Sequence, residues 1–245
     1  MRKSASRMFV AGLLVAAMAT SACQVSDGGR HLDETAELDG VWRGVSEDVE
    51  ARRLLRAHVL DGLLLAVDVD TEDAHSGELL LRDGHLSGLF AQRNATGERE
   101  RDFRIDGHAQ AYEHLDASLF GSRSDGSLSL FYDQPRSFDH ASFHAVEGLY
   151  SHYGEALDIS LSIDRLGRIE GHDDAGCVYF GSLDIPDSRR NLYAVTLEVD
   201  NCAIARDFAF GIGSLDVDAQ GWQTLTLPVW FDAQDRVEAW TLHRH

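Results

Sequence analysis

The sequence predicts an all-β protein: two tandem antiparallel up-and-down β-barrel or β-sandwich-like domains joined by a short helix. Three observations carry this. Short runs alternate apolar and polar residues with a period of two, which sends one set of side chains to each face of a sheet. Tight turn signals separate the runs, among them the Asp-Gly pairs Asp61-Gly62, Asp83-Gly84 and Asp125-Gly126. The two halves also carry matching segments.

Residues 1–22 are predicted to be an export signal. Arg2, Lys3 and Arg7 form a positive start, Met8 to Met18 an apolar stretch, and Ala19 to Ala22 a small-residue tract before Cys23. The uncharged run from Met8 to Ala22 is shorter than the roughly 20 residues of a membrane-spanning helix. Ser21-Ala22-Cys23 resembles the lipobox of bacterial lipoproteins. That resemblance implies cleavage before Cys23, a diacylglycerol on its thiol, and sorting to the outer membrane on the strength of Gln24. The expected address is therefore the bacterial cell envelope, facing the periplasm, with the membrane as a partner through Cys23. With Cys23 assigned to lipid, Cys177 and Cys202 remain as an even pair in a compartment where disulfides persist.

Residues 23–37 hold Ser, Asp, Gly-Gly and Thr with little to bury, and read as a flexible tether, with organised structure beginning at Leu38. The N-terminal β domain, 38–134, is read as strands at Val41–Ser46, Leu54–Leu60, Leu63–Asp70, Gly77–Arg82, His85–Arg93, Arg101–Asp106, Tyr112–Phe120 and Ser127–Asp133. A helical linker, 135–147, follows: Ser137 is the expected N-cap, and Phe138, Ala141 and Ala145 share one face of a single short helix. In the C-terminal β domain, 148–245, the clearest strand is Leu157–Asp164, where Leu, Ile, Leu, Ile alternate with Asp, Ser, Ser, Asp. Further runs are Gly176–Asp184, Asn191–Val199, Phe208–Val217, Trp222–Trp230 and Arg236–His243; Pro228 marks its run as an edge or irregular strand.

Two correspondences suggest duplication. Leu38-Asp39-Gly40-Val41-Trp42 parallels Val146-Glu147-Gly148-Leu149-Tyr150, and Gly77 to Gly88 parallels Ile159 to Gly171. Gly40-Val41-Trp42 on a first strand, followed by a meander and by Arg244 beside the last strand, resembles the calycin superfamily of lipocalins and avidins. In that superfamily a Gly-x-Trp and a late Arg close the barrel bottom. The runs Tyr132 to Ser137, Gly148 to Tyr150, Gly171 to Cys177, Asn191 to Leu197 and Asn201-Cys202 are similar to a group of proteobacterial lipoproteins with tandem β-rich halves. That likeness implies a fold and an address, and no activity.

The formal charge is −19, becoming −22 without residues 1–22, and the remaining chain has no lysine. Such a surface repels nucleic acid; it reads first as a solvated face that keeps the chain soluble, with a docking face for a cationic protein partner as the alternative. No Gly-x-Ser-x-Gly elbow, His-Glu-x-x-His or phosphate loop is present, and no cofactor or catalytic residue is assigned. His140 with His144, and His243 with His245, have metal-like spacing but no third ligand, so no metal is assigned. Asp68 to Asp73 and Asp216 to Gly221 lack the full calcium-loop pattern and read as turns, as does His172-Asp173-Asp174. The leading expectation is a membrane-anchored envelope lipoprotein with a non-catalytic structural or protein-interaction role. The alternatives are a calycin-like binder of a small apolar molecule or periplasmic inhibitor, and an enzyme of unrecognised type. Interior volume separates the first two.

Overall fold

Each half closes into its own eight-stranded barrel in the computed structural model, which describes residues 34–94, 96–154, 157–202 and 207–245. The N-terminal barrel runs β1 (Gly40–Asp48), β2 (Arg52–Leu60), β3 (Leu63–Asp68), β4 (Ala74–Arg82), β5 (His85–Arg93), β6 (Arg99–Gln110), β7 (His114–Gly121) and β8 (Asp125–Tyr132). Each strand pairs antiparallel with the next, and β8 returns to β1. The C-terminal barrel repeats the plan with β9 (Gly148–Tyr153), β10 (Asp158–Ile163), β11 (Arg168–Asp173), β12 (Val178–Asp184), β13 (Tyr193–Asp200), β14 (Asp207–Val217), β15 (Gln223–Phe231) and β16 (Arg236–Arg244). Alternation explains the walls: in β10, Ile159, Leu161 and Ile163 are buried while Asp158 and Ser160 are exposed. β9 and β11 fall outside the runs read as strands. Their sequences, GLYSHY and RIEGHD, are short and mix Gly with polar residues, so the period-two signal is diluted.

Both lumens are filled. One apolar cluster takes residues from all of β1 to β8, with Trp42, Phe90, Phe103 and Tyr132 its aromatic members. A second takes residues from all of β9 to β16, with Tyr150, Tyr179, Tyr193, Phe231 and Trp240. Barrels of eight strands are narrow enough for side chains to fill.

A helical turn plugs one end of each barrel. In the first it is the 3-10 turn Glu34–Leu38, so folded structure begins ahead of Leu38; Thr35 and Leu38 are buried, and Thr35 Oγ1 accepts the Leu81 N–H at 3.1 Å. In the second it is α2 (Phe143–Val146), capped by Ser142, whose side chain accepts the Ala145 N–H. The linker is thus two single turns, α1 (Gln134–Ser137) and α2, and not one helix. Ser137 is not a cap: fully buried, its Oγ accepts the Val41 N–H at 2.9 Å and donates to the Val41 carbonyl at 3.0 Å.

The plugs make the first internal correspondence a structural one. Trp42 Nε1 donates to the Leu38 carbonyl at 2.7 Å and Tyr150 OH donates to the Val146 carbonyl at 2.9 Å, each four residues back. The Leu79 and Leu183 N–H groups donate to Gly62 and Gly167 carbonyls, both at 2.7 Å. The second correspondence is out of phase. Gly77 to Gly88 forms β4 and β5, whereas Ile159 to Gly171 forms β10 and β11, the second and third strands of their barrel. Any two hairpins with period-two alternation around a Gly turn look alike.

The Gly-x-Trp and the late Arg fall in different barrels. Arg244 pairs with Tyr150 and lies against Gly148, where an added Cβ would sit 2.6 Å from its Nε. Across the same seam of the first barrel, Trp42 pairs with Tyr132, edge to face at 5.1 Å, and the Tyr132 ring covers Gly40. Pro228 lies in an interior strand, because a closed barrel has no edge. Pairing of β15 with β14 runs to Gly211↔Val229 and resumes at Ser214↔Thr226, an interruption where proline supplies no N–H.

The barrels lie side by side, β2, β3 and β4 of the first against β14, β15 and β16 of the second. Val41, Leu65, Ala74, Leu192, Ile212 and Val237 form the apolar seam. β3 is covered on both faces, which is why Leu63 to Val67 is continuously apolar.

Candidate functional site

The residues with metal-like or catalytic spacing do not assemble a site. His140 precedes α2, off its helix, with Nδ1 at 3.1 Å from the Ser188 carbonyl, while His144 Nδ1 meets Glu147 Oε1 at 3.2 Å. His243 Nδ1 lies at 3.3 Å from Thr224 Oγ1. Among the described residues no group of three or more His, Cys, Asp or Glu is placed to hold a metal ion. Asp68 and Asp218 cap their own turns, Asp68 Oδ1 accepting the Asp70 N–H at 3.0 Å and Asp218 Oδ1 those of Gln220 and Trp222 at 2.9 Å. Asp173 is buried, accepting the Tyr179 hydroxyl at 2.6 Å and the Cys177 N–H at 2.8 Å. Burial, with that hydrogen bond and the Asp173 charge, pushes the Tyr179 phenol up. Cys177 and Cys202 form a disulfide that joins the turn before β12 to the loop after β13. Cys23 lies outside the described residues.

The interface between barrels holds the polar groups that the sequence reading missed. Arg93, at the end of β5, is fully buried and donates to Ser76 Oγ at 3.0 Å, to the Gly97 carbonyl at 3.2 Å, and to both the carbonyl and the carboxylate of Asp235. Its guanidinium lies over the Trp230 ring. Asp216 joins three elements, accepting Arg56 of β2 at 3.1 Å and Arg136 of α1 at 2.7 Å from its own place on β14. His58 Nε2 meets Ser214 Oγ at 2.9 Å across the seam. Burial, reinforced by the Arg56 charge, pushes His58 down to about 3; burial and the charges of Arg53 and Arg93 do the same to His75. Both rings are therefore neutral at physiological pH. One signal was available: β3 shows no alternation, which marks a strand covered on both sides.

Beside this seam is an open cleft of about 730 Å³. The N-terminal barrel supplies residues 69–74 and Asn94, Thr96 and Gly97; the C-terminal barrel supplies His152, Gly154, Leu157, Ile159 and residues 236–240. The Gly97 carbonyl accepts the Val237 N–H at 3.1 Å, and Glu98 bridges to Arg236, so the first barrel grips the edge of β16. His152 Nδ1 lies at 3.1 Å from the Thr241 N–H and at 3.2 Å from the Thr241 carbonyl. Glu238 accepts Trp240 Nε1 at 3.0 Å and pairs with Arg236 at 2.7 Å. Asp70 and Glu72 stand on the opposite rim without an ion pair among the described residues. Ile159 and Trp240 reach the cleft wall from the core of the second barrel and are themselves buried, and Asp70, Glu72 and Asp73 give the cleft an acidic lip. On that lip Thr71 Oγ1 donates to Asp73 Oδ2 at 2.8 Å.

A smaller recess of about 260 Å³, lined by Arg99, Arg101, Phe103 and the turn Gly121–Ser124, opens at the same end of the N-terminal barrel. Arg101 is taken up there by Asp48 and Glu50. Against known proteins the chain has no match: no family model, curated protein or solved structure is similar to it.

Proposed function

We propose that this protein is a lipid-anchored lipoprotein of the bacterial envelope with a non-catalytic, protein-interaction role. The observation that carries the reading is the filling of both lumens by continuous apolar clusters, which leaves the cleft between the barrels as the larger concave surface described. A filled eight-stranded barrel has no room for the ligand that a calycin interior encloses. Two further features support the reading. The Cys177–Cys202 disulfide suits an oxidising compartment. The turn Glu34–Leu38, to which the expected tether leads, lies beside the β2–β3 and β4–β5 turns, and the cleft is lined by the β3–β4 and β5–β6 turns at the opposite pole.

Metabolic labelling with tritiated palmitate tests the anchor: label is expected on the native chain and absent from Cys23→Ala. Native mass spectrometry tests the role: the mature polypeptide mass plus lipid modification is expected, and a stoichiometric small apolar molecule would overturn the non-binding assignment.

A further inference from the structure

The two barrels are plugged at the same end of the molecule. Arg190, in the loop between β12 and β13, donates to the Asp39 carbonyl and to the Tyr112 hydroxyl, the latter at 2.9 Å, which ties the plugged end of the second barrel to that of the first. At this end the second barrel shows large apolar side chains to solvent. Leu166 in the β10–β11 turn is 71% exposed and Trp222 in the β14–β15 turn 67%, while Leu149 and Val217, at the near ends of β9 and β14, are 61% and 58% exposed. The described turns at the opposite end of that barrel present Asp174, Ala175, Asp232 and Ala233 instead. Leu166 and Trp222 are held in place by one device used twice. Asp164 Oδ1 accepts the Leu166 N–H at 2.8 Å and the Arg168 N–H at 3.0 Å, and Asp218 Oδ1 accepts those of Gln220 and Trp222 at 2.9 Å. Each turn is fixed while its apolar side chain stays outside the core.

Apolar side chains gathered on one rim mark a contact surface. Here they stand on separate elements around a barrel mouth, which suits a soft boundary better than a shaped protein face. An indole such as that of Trp222 favours the level where apolar and polar media meet. Arg165 and Arg168 flank Leu166 with exposed side chains, paired to Glu147 and Asp164, and their long stems keep charge in water as Leu166 descends. The turn Glu34–Leu38 plugs the first barrel at this same end. The expected lipid at Cys23 is eleven residues before Glu34, a reach of about 40 Å at most, so an anchored chain is kept within range of this end. A net charge of −19 repels both a second copy of the chain and an anionic membrane. We propose that the plugged end of the C-terminal barrel rests on a zwitterionic lipid surface, with Leu166 and Trp222 entering the head-group boundary and the cleft turned away from it. This rests on the lipid-anchor reading above and gives the anchored protein an orientation.

The test uses the native chain purified from membranes and reconstituted with phosphatidylcholine vesicles, a part of the lipid brominated along its acyl chains. Flotation reads the anchor, and tryptophan emission reads the orientation. The variant Trp222→Phe, which alters one exposed ring, supplies the emission of the other three tryptophans for subtraction. Trp222 emission is expected to shift to the blue and to fall at least about twofold in the presence of brominated lipid. Leu166→Asp should relieve that quenching, because a carboxylate at the boundary opposes the insertion that leucine favours. A chain that floats with the vesicles while Trp222 stays unquenched overturns the orientation and leaves the anchor standing. Shielding of Trp222 from iodide without quenching by brominated lipid shows a second copy on the rim and likewise overturns it. Quenching that Leu166→Asp leaves intact overturns insertion of the two turns together. A chain that does not float overturns the anchor and the orientation alike.

Discussion

Acidification should destabilise this protein well above the range in which carboxylates titrate, because His58 and His75 are buried uncharged. The ordinary histidine value of 6.5 applies to the unfolded chain, and both rings are pushed down to about 3 in the fold. Between those values the unfolded state binds protons that the folded state refuses. Stability is therefore complete above the unfolded value and falls as pH drops, by about 1.4 kcal/mol per pH unit for each ring. At pH 5 each ring costs about 2 kcal/mol, and the pair about 4 kcal/mol, a large share of a typical domain's stability. Asp48, held low by hydrogen bonds from Ala51 and Gln92 and by Arg53 and Arg101 against the opposing effect of burial, adds its loss only further down. Urea unfolding at pH 8, 6.5, 5.5 and 5, in moderate salt, measures the slope for the native chain and for His58→Gln, His75→Gln. The variant starts less stable, since Ser214 Oγ and the Arg93 N–H lose their partners, but its slope above pH 5 should be nearly flat. Parallel slopes in the two proteins would show that these rings are protonated in the fold and would refute the argument.

Arg93→Ala should cost about 1 to 3 kcal/mol, since it removes a buried guanidinium's hydrogen bonds to Ser76 Oγ, the Gly97 carbonyl and Asp235, while Gly97 keeps the Val237 N–H and Asp235 keeps Arg99; thermal unfolding reads it, and an unchanged midpoint would contradict the latch. Cys177→Ser with Cys202→Ser should lower stability by about 3 kcal/mol through the closed loop's entropy, checked by urea unfolding beside non-reducing thiol alkylation of the native chain. Tyr150→Phe removes only the bond to the Val146 carbonyl and should cost about 1 kcal/mol, whereas Trp42→Ala, which also empties its space in the first lumen, should cost about 3 to 5 kcal/mol; equal losses would contradict the packing described. Gly40→Ala should destabilise the first barrel strongly, because its φ of +152° disfavours a side chain and the new Cβ would stand 2.3 Å from the Tyr132 ring.

Local chemistry made most of the walls legible. The alternation of Leu157 to Asp164, the Asp61-Gly62 and Asp83-Gly84 turns and the Leu38–Trp42 repeat are short-range signals, and each led to a strand, a turn or a barrel start where the fold has one, whereas Asp125-Gly126, read as a turn, opens β8 and pairs with Phe120 and Leu119. They failed where the signal was thin, as in β9 and β11, or where it was generic, as in the hairpin match that fell out of phase. Ser137 shows a different limit: a serine before an apolar stretch reads as a cap, but the Val41 backbone, 96 positions earlier, claims its hydroxyl. The sequence by itself determined an all-β chain of two halves, its strand faces, its acidic surface and its even cysteine pair. Only tertiary structure decided that Tyr132 faces Trp42 while Arg244 faces Tyr150, and that Arg93 and Asp235 lock one barrel to the other. The reason is reach: a period of two is set by neighbouring residues, whereas barrel closure and side-by-side packing join positions as far apart as His58 and Ser214, 156 residues along the chain.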